Sequence, residues 1–328
     1  QVISLASLPD FDPNDRPSLP KSGDPSLSPL FNRAAQGVYE LGSTFKIFTA
    51  AQVIDEGIVS KDTVLDIRGP LKFGKYKIRD HHFLGERLSV EDIMVKSSNI
   101  GTAKLAAKIG ADRQKKFLEK FGLLDLTGIE LPEASRAKPQ IPKRWSKLST
   151  ATISYGHGIS VSPLHVAVAY GAIVNGGKRI YPTIIKNSLG KGELETIISN
   201  DTSLILQDIL RKVVASGTAR NAAMDDYLIG GKTGTADKVN FDKPGYHEDK
   251  VITTFVATFP MEQPRYVLVV TLDEPEDWSI DKPMRTAGWT AVPVATEIIT
   301  RIAPILGIRP NTVVGKNPGT TSLVKVQN

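Results

Sequence analysis

The sequence contains no cysteine among its 328 residues. Disulfide bonds and thiol chemistry are therefore excluded, and this absence fits an extracytoplasmic protein as well as a cytosolic one. No apolar run of about 18 residues is present, so the chain holds no candidate membrane helix. Its first residues lack the pattern of a signal peptide. Because the chain starts abruptly on a strand-like segment, we expect an upstream anchor or domain to be absent from it.

Charge of one sign is only slightly in excess. The 41 basic and 35 acidic residues give a net charge of +6. One acid-free stretch could supply most of this excess, either as a patch for an anionic partner or, more commonly, as a solvated loop surface; its basic residues are Arg136, Lys138, Lys143, Arg144 and Lys147. No recognition module accompanies the charge, so a nucleic-acid partner is not expected.

The pattern of apolar residues predicts an α+β fold. Residues 2–8 alternate like a strand, and the stretch from roughly 60 to 220 is mostly helical. Three β-type segments then follow, "YLIGGKTGTA", "VITTFVATF" and "YVLVVTL", with a helix at about 290–303. Short connections favour antiparallel neighbours. We therefore predict an antiparallel sheet built from both chain ends, flanked by helices, with the helical lobe inserted. The expected domain is 1–310, followed by a mobile tail at 311–328.

One lysine lies where a lysine is costly. Residues 41–57, "LGSTFKIFTAAQVIDEG", predict a helix from Ser43 to Gly57 that is apolar nearly all round, yet it contains Lys46. A serine nucleophile needs an adjacent base. Lys46 suits that role if burial and a second cation lower its pKa. The alternative is a serine N-cap with a snorkelling lysine. Of six S-x-x-K spacings in the chain, only this one opens an uninterrupted apolar helix.

Two further motifs favour the catalytic interpretation. Ser97-Ser98-Asn99 is the only S-x-N in the chain and falls between two helical segments, the first capped by Ser89 with Asp92. Lys232-Thr233-Gly234-Thr235 begins with the only K-T-G and lies on a strand-like segment. Motifs S-x-x-K, S-x-N and K-T-G in this order are typical of penicillin-binding proteins and serine β-lactamases.

The chain resembles the transpeptidase domain of class B penicillin-binding proteins, of the division-septum type in Gram-negative bacteria. The likeness covers nearly the whole chain and includes "NRAAQGVYELGSTFK" at 32–46, "SSNIGTAKLA" at 97–106, "YGHGISVSPLHVAVAYGAIVNGG" at 155–177, "SGTAR" at 216–220, "GGKTGTA" at 230–236 and "RTAGWTAVPV" at 285–294. Leu41 replaces a frequent proline, and Ser98 stands where lactamases usually carry aspartate. Neither change removes a catalytic group, but both weaken a lactamase assignment.

The resemblance implies a penicillin-binding, serine β-lactamase-like fold and a serine acyl-enzyme mechanism. Ser43 would attack the penultimate D-Ala carbonyl of a peptidoglycan stem peptide, and Lys46 would take its proton. Ser97 would relay a proton to the leaving D-alanine, and Asn99 would hold Lys46 and the substrate amide. Lys232 would lower the pKa of Lys46 and attract the terminal carboxylate.

The third motif is implied to bind the substrate. The hydroxyls of Thr233 and Thr235 would bind the carboxylate, and Gly234 would allow close backbone approach. Backbone N–H groups of Ser43 and Thr235 would form the oxyanion hole. An amine from a neighbouring strand would resolve the acyl-enzyme into a cross-link, whereas β-lactams would acylate Ser43 and stall.

Other residues carry weaker expectations. Asp80-His81-His82 has no further ligand spaced to complete a metal site, so no metal and no cofactor are expected. His157 and His165 are interpreted as structural. The polar loop at 237–250 is either a flap beside the site or an ordinary hairpin loop.

The resemblance leaves alternatives in activity. A β-lactamase or D,D-carboxypeptidase would need water activation, and Glu130 and Glu133 lie in no recognisable deacylating motif. A non-catalytic β-lactam sensor is the other alternative. The expected partners are stem peptides, β-lactams and divisome membrane proteins, and the expected location is the periplasmic face of the inner membrane.

Overall fold

The computed structural model describes residues 1–18, 25–186, 194–240, 243, 245–279 and 281–311. Within them lie eight α-helices: α1 (Lys46–Asp55), α2 (Val90–Val95), α3 (Asn99–Ile109), α4 (Ala111–Lys120), α5 (Lys147–Ile153), α6 (Pro163–Val174), α7 (Asn200–Ser216) and α8 (Ala291–Ile305). The same residues contain seven strands: β1 (Val64–Asp66), β2 (Leu71–Phe73), β3 (Tyr76–Ile78), β4 (Arg87–Ser89), β5 (Gly230–Val239), β6 (Tyr246–Phe259) and β7 (Tyr266–Asp273).

The main sheet is antiparallel, in the order β5-β6-β7. Successive side chains of a strand point to opposite faces, and along β6 they enter two different cores. Ile252 and Val256 belong to the core that contains Phe45, from the segment just before α1, and Tyr170, from α6. Phe255 and its odd-numbered neighbours Ala257 and Phe259 belong to the core formed with α8. The sheet therefore lies between two helical layers, which confirms the predicted α+β class.

The predicted strand at residues 2–8 is wrong, so the sheet is not built from both chain ends. These residues have no strand assignment. Val2 donates one backbone hydrogen bond to Thr183 O at 2.8 Å, and Val2 and Leu5 pack against a small core that includes Ala35 and Leu164. The alternating apolar side chains thus find their partners in the helical lobe, and no neighbouring strand is needed.

The lobe at roughly 60–220 begins with strands rather than helices. β1 pairs with β4 and β2 with β3, each antiparallel, and helices α2 to α7 follow. At 237–250 the described residues continue the β5–β6 hairpin, with Val239 opposite Tyr246. Residues 241, 242 and 244 and the predicted tail from 312 onward lie outside the described residues.

None of the helices in the described part of the chain is long and apolar enough to span a bilayer.

The basic stretch noted in the sequence lies on the surface. The basic side chains at 136, 138, 143, 144 and 147 are all exposed. Both interpretations of this stretch, an anionic-partner patch and a solvated loop surface, stay open.

Candidate active site

Ser43 lies in a single 3₁₀ turn, Gly42–Phe45, which we call the serine turn, and α1 starts directly after it. Tyr170 of α6 donates its hydroxyl to Thr44 O at 2.7 Å and so anchors the turn to the core. Gly42 has φ +55°, a conformation that favours glycine. Ser43 is partly exposed, whereas Gly42, Thr44 and Phe45 are buried. The turn therefore presents the serine at the N-terminal end of a helix, where backbone N–H groups favour negative charge.

Lys46 is the first residue of α1 and is fully buried, with 0% exposure. Its Nζ donates to the backbone O of Ser97 and, at 3.0 Å, to the Ser97 hydroxyl. No acidic side chain of the described residues forms an ion pair with it. The lysine is therefore not a snorkelling side chain, because its amine ends inside the protein on the second motif.

Lys232 reaches the same hydroxyl from the sheet. Lys232 pairs with Val256 in the β5–β6 register, and directly opposite residues share a face, so Lys232 lies on the side of the sheet that carries α1. Its Nζ donates to Ser97 Oγ at 3.0 Å and to Thr233 O at 3.1 Å. Since Lys46 Nζ is also 3.0 Å from Ser97 Oγ, the two amines are at most about 6 Å apart. Lys232, like Lys46, has 0% exposure.

Burial of two amines side by side disfavours their charged forms. Burial lowers the pKa of Lys46 well below its usual value, the nearby charge of Lys232 lowers it further, and the Asp80 carboxylate opposes the shift. Burial lowers the pKa of Lys232 to about 7. The direction of both shifts is the one that a serine–lysine pair needs, because only a neutral amine can accept a proton.

Ser97 joins the two lysines through an unusual backbone conformation. Its φ of +62° is in the left-handed region, which few non-glycine residues adopt. Its carbonyl and its hydroxyl both accept from Lys46. The residue sits between the end of α2 and the start of α3, where helical geometry is interrupted. Such strain is typical of functional sites.

Asp80 holds the second motif in place, a role that the sequence did not indicate. Its carboxylate accepts from the Ser98 hydroxyl at 2.8 Å and from the backbone N–H groups of Asn99 (2.5 Å) and Ile100 (3.1 Å). It therefore caps the N-terminus of α3, where an anion is favourable. Asp80 lies 18 residues before Ser98, and the only sequence signal at this position was an incomplete metal motif.

Asn99 does not hold Lys46 as predicted. Its side-chain amide donates to Arg79 O at 3.1 Å, while the hydrogen bonds of Lys46 Nζ go to Ser97. Asn99 opens α3 with its backbone N–H on Asp80, and this directs its side chain toward the segment before Asp80. The predicted contact of Asn99 with a substrate amide stays a prediction.

The threonines of the third motif point to the other face of the sheet from Lys232. The Thr233 hydroxyl lies 2.6 Å from the Thr218 hydroxyl, and Thr235 Oγ1 accepts from the backbone N–H of Ala287 at 3.0 Å. Thr218 and Ala287 belong to the segments "SGTAR" and "RTAGWTAVPV", so these segments support the motif. Their roles could not be derived from spacing, because sequence spacing does not show which segments meet.

Strand β5 and the serine turn are in direct backbone contact. A Cβ added to Gly234 would lie 2.2 Å from Leu41 O, and one added to Gly42 would lie 3.0 Å from Thr235 O and 3.3 Å from Thr235 N. Any side chain at Gly234 would therefore push the two segments apart. The two backbone amides predicted to bind an oxyanion, those of Ser43 and Thr235, belong to segments that touch.

The Ser43 hydroxyl makes no hydrogen bond to any residue that the structure describes. The predicted Ser43–Lys46 bond is thus not formed here, and in unliganded sites such bonds are often long and tighten only with substrate. The sequence-predicted residues nevertheless meet in one place: Lys46 and Lys232 share Ser97, Asn99 follows it, and Ser43 lies three residues before Lys46. This arrangement can deliver a neutral amine next to an accessible hydroxyl.

The histidines and acids weighed from sequence take other positions. In the described ranges, no three potential ligands come together for a metal ion. His165 is buried, caps α6 with Ser162 and lies 2.8 Å from Asp125 O through Nε2. Burial lowers the pKa of His165. Glu130 accepts from Thr183 and Ile184 in the helical lobe.

Comparison with known proteins places this geometry in a family context. The family model described as penicillin binding protein transpeptidase domain matches residues 1–300. Among curated proteins, the chain is 36% identical over 320 residues to the probable peptidoglycan D,D-transpeptidase FtsI of Caulobacter vibrioides, covering 95% of this chain and 53% of the relative. It is 31% identical to the probable peptidoglycan D,D-transpeptidase PenA of Neisseria meningitidis, covering 99% and 52%. The chain thus spans about half the length of these relatives.

Solved structures show the same likeness. The transpeptidase domain of Burkholderia pseudomallei penicillin-binding protein 3 superposes with a TM-score of 0.77 at 31% identity, covering 86% of this chain and 83% of that one. Penicillin-binding protein 3 of Mycobacterium tuberculosis in complex with ampicillin superposes with a TM-score of 0.77 at 29% identity, covering 87% and 66%. The predicted fold is therefore confirmed beyond its class.

Proposed function

Because the chain belongs to the penicillin-binding protein transpeptidase family, we propose that it is a serine D,D-transpeptidase that cross-links peptidoglycan stem peptides during septal wall synthesis. The observation that carries the proposal is the pair of fully buried lysine amines on one serine hydroxyl, beside a partly exposed serine at a helix N-terminus. This arrangement supports nucleophilic catalysis without a histidine base.

In the first half-reaction Ser43 Oγ attacks the carbonyl carbon of the penultimate D-alanine. The Ser43 proton passes to neutral Lys46, and the developing oxyanion lies against the backbone N–H groups of Ser43 and Thr235. The C–N bond to the terminal D-alanine then breaks, and the leaving nitrogen takes a proton from Ser97, which Lys46 replenishes. Each oxyanion donor typically contributes ~3 kcal/mol to the transition state.

In the second half-reaction an amine of another stem peptide attacks the Ser43 ester. The new C–N bond forms, the C–O bond breaks, and the amine proton returns through the Lys46–Ser97 pair to Ser43. The hydroxyls of Thr233 and Thr235 bind the substrate carboxylate, and Lys232, on the other face of β5, attracts it electrostatically; that negative charge favours the protonated form of Lys232. Asn99 contacts the substrate amide.

β-Lactams present a strained amide to the same serine. We propose that they acylate Ser43 and remain attached, and that the protein works at the periplasmic face of the inner membrane with divisome membrane proteins as partners. The boundaries 1–310 for the transpeptidase domain, with the helical lobe at roughly 60–220, are part of this proposal. The ampicillin complex of the Mycobacterium tuberculosis relative supports drug binding by this fold.

The test is intact mass after incubation with a penicillin, with the adduct mapped, in wild type and Ser43→Ala. We expect one stoichiometric adduct on Ser43 in wild type and none in the variant. Formation of a cross-linked product from a D-alanyl-D-alanine peptide and an amine acceptor then distinguishes a transpeptidase from a sensor. Rapid turnover of a chromogenic cephalosporin would instead indicate a β-lactamase, and hydrolysis without transfer would indicate a carboxypeptidase.

A further inference from the structure

A buried carboxylate lies three residues before the nucleophile and takes no part in the mechanism above. The Glu40 side chain is 8% exposed, and its residue directly precedes Leu41 and the serine turn. A charge that is taken out of water requires compensation by donors or cations. The groups that compensate Glu40 come from two other parts of the molecule.

The first part is the turn that follows α5. The backbone N–H of Gly158 donates to Glu40 Oε1 at 3.0 Å, and His157 Nδ1 lies 3.2 Å from Oε2. The same turn contacts the serine turn through backbone alone: a Cβ added to Gly156 would lie 2.0 Å from Gly42 O. Gly156 has φ +79°. Glu40 thus accepts a hydrogen bond from the turn after α5, and the serine turn packs against that same turn.

The second part is strand β6 of the sheet. The Tyr246 hydroxyl donates to Glu40 Oε1 at 3.0 Å, and its ring stacks on His157 with centroids 4.8 Å apart. Burial raises the pKa of Tyr246, and the Glu40 charge raises it further, so the phenol keeps the proton that it donates. Burial and Glu40 likewise raise the pKa of Tyr155 to about 12. Glu40 Oε1 therefore accepts from the Gly158 N–H and the Tyr246 hydroxyl, and so joins the turn after α5 to the sheet.

We propose that Glu40 is a positioning residue for the acylation reaction. It holds the serine turn against the turn after α5, through Gly158 and His157, and against the sheet, through Tyr246. The serine turn has β5 on one side and Gly156 on the other, both at backbone contact, so a small displacement moves Ser43 relative to Lys46 and Thr235. Misplacement by about 1 Å is enough to reduce a rate ~100-fold. The inference rests on the proposed function, because it assumes that Ser43 is the nucleophile.

The test separates the acylation rate constant from the dissociation constant of the non-covalent complex, with a penicillin as the probe. We expect Glu40→Gln to lower the rate constant about 10-fold and to leave the dissociation constant within about 2-fold, because geometry and not binding is altered. Tyr246→Phe, which removes a hydrogen bond to Glu40, and His157→Gln, which removes the ring that lies 3.2 Å from Glu40 Oε2, should each lower the rate constant a few-fold. Glu130→Gln, which also loses a carboxylate with two hydrogen bonds, is the matched control and should acylate like wild type.

A double-mutant cycle sharpens the result. If Tyr246 acts through Glu40, the combined loss in Glu40→Gln/Tyr246→Phe should be smaller than the product of the two single losses, whereas Glu40→Gln/Glu130→Gln should show no coupling. A Glu40→Gln protein with lower melting temperature but an unchanged acylation rate constant would overturn the inference, as would an effect confined to the dissociation constant. If Glu40→Gln does not fold, the two milder variants decide by the same criteria. Wild-type acylation on Ser43 keeps the proposed function standing in either case.

Discussion

The two halves of strand β5 use lysine in opposite ways. Lys232, in the buried half, donates to a hydroxyl and a carbonyl, and no carboxylate among the described residues pairs with it. Lys238, six residues on, lies 2.8 Å from Asp273 Oδ1 and 2.7 Å from Glu274 Oε1. Partial burial lowers the pKa of Lys238, but its bonds to these two acids outweigh that effect and the net pKa is raised. Burial alone acts on Lys232 and lowers its pKa to about 7.

The difference shows what a reactive lysine requires. The acidic side chain that acts on Lys46 is bonded elsewhere. Asp80 accepts hydrogen bonds from Ser98 and from the first residue of α3, and among the three effects on the pKa of Lys46 its own is the smallest. A carboxylate bonded to either amine would fix its charge and remove its basicity. The lack of a carboxylate bonded to Lys46 or Lys232 among the described residues is therefore what keeps these amines basic.

The largest expected effect comes from removing Lys46, the proposed base and the second buried lysine that has no acidic partner among the described residues. Lys46→Met should reduce the rate constant for acylation by a penicillin about 10³-fold, since general-base catalysis contributes 10²–10⁴-fold. Lys238→Met, the matched change in the ion-paired half of β5, should leave that rate within about 2-fold. Stopped-flow or quenched acylation assays measure both. Equal losses in the two variants would break the distinction between the two kinds of lysine.

A smaller loss is expected when the hydroxyl between the two amines is removed. Ser97→Ala should lower the acylation rate about 10²-fold, because Ser97 Oγ joins Lys46 to Lys232 and is the proposed proton relay. Ser97→Thr, which keeps a hydroxyl, should recover part of the rate. A Ser97→Ala enzyme that acylates at the wild-type rate would show that the shared hydroxyl has no part in the reaction.

The stability of the protein should depend on pH through Lys232. Between about pH 7, its folded-state pKa, and its ordinary value of 10.5, the unfolded chain binds a proton that the folded protein does not. The free energy of unfolding of wild type minus that of Lys232→Met should therefore rise with pH over this window, by at most about 1.4 kcal/mol per pH unit. Below the window this difference should not change with pH. Denaturant unfolding at several pH values measures the difference. A difference that stays flat or falls across the window contradicts the lowered pKa.

The smallest effect is expected in the ion-paired half of the strand. Lys238→Met should destabilise the protein by no more than about 1 kcal/mol, because partly exposed ion pairs contribute little. High salt should reduce the difference, since salt screens exposed charges. Chemical denaturation at low and high ionic strength provides the measurement. A loss of several kcal/mol would mean that Lys238 belongs to the core of the fold and is no suitable contrast to Lys232.

Much of the site was predictable because its residues carry unusual local signals. A lysine in an otherwise apolar helix is conspicuous in any sequence, and the structure gives Lys46 0% exposure. The β-type segment "VITTFVATF" also predicted strand β6, and in the structure each face of that strand meets a core. These signals are local, and a single segment of sequence contains them completely.

What escaped prediction depends on segments that meet only in the fold. Asp80 caps a helix that starts 19 residues later, and Glu40 bonds Tyr246 across 206 positions. The strand predicted at residues 2–8 has the right alternation but packs on helices, because alternation does not specify a partner. The predicted Asn99–Lys46 contact is not formed for the same reason: the Asn99 side-chain amide donates to Arg79 O, which lies on a distant segment, while Lys46 Nζ donates to Ser97.

The most direct test of the account is the protonation state of Lys46 itself. In protein labelled with ¹⁵N and ¹³C at lysine side chains, the Lys46 signal is identified by its loss in Lys46→Met, and its chemical shift is followed with pH. We expect Lys46 to lose its proton well below the ordinary lysine range, because its pKa is lowered, and Lys238 to retain its own beyond that range, because its pKa is raised. If Lys46 titrated together with Lys238, the serine would have no neutral amine beside it and the proposed mechanism would be contradicted.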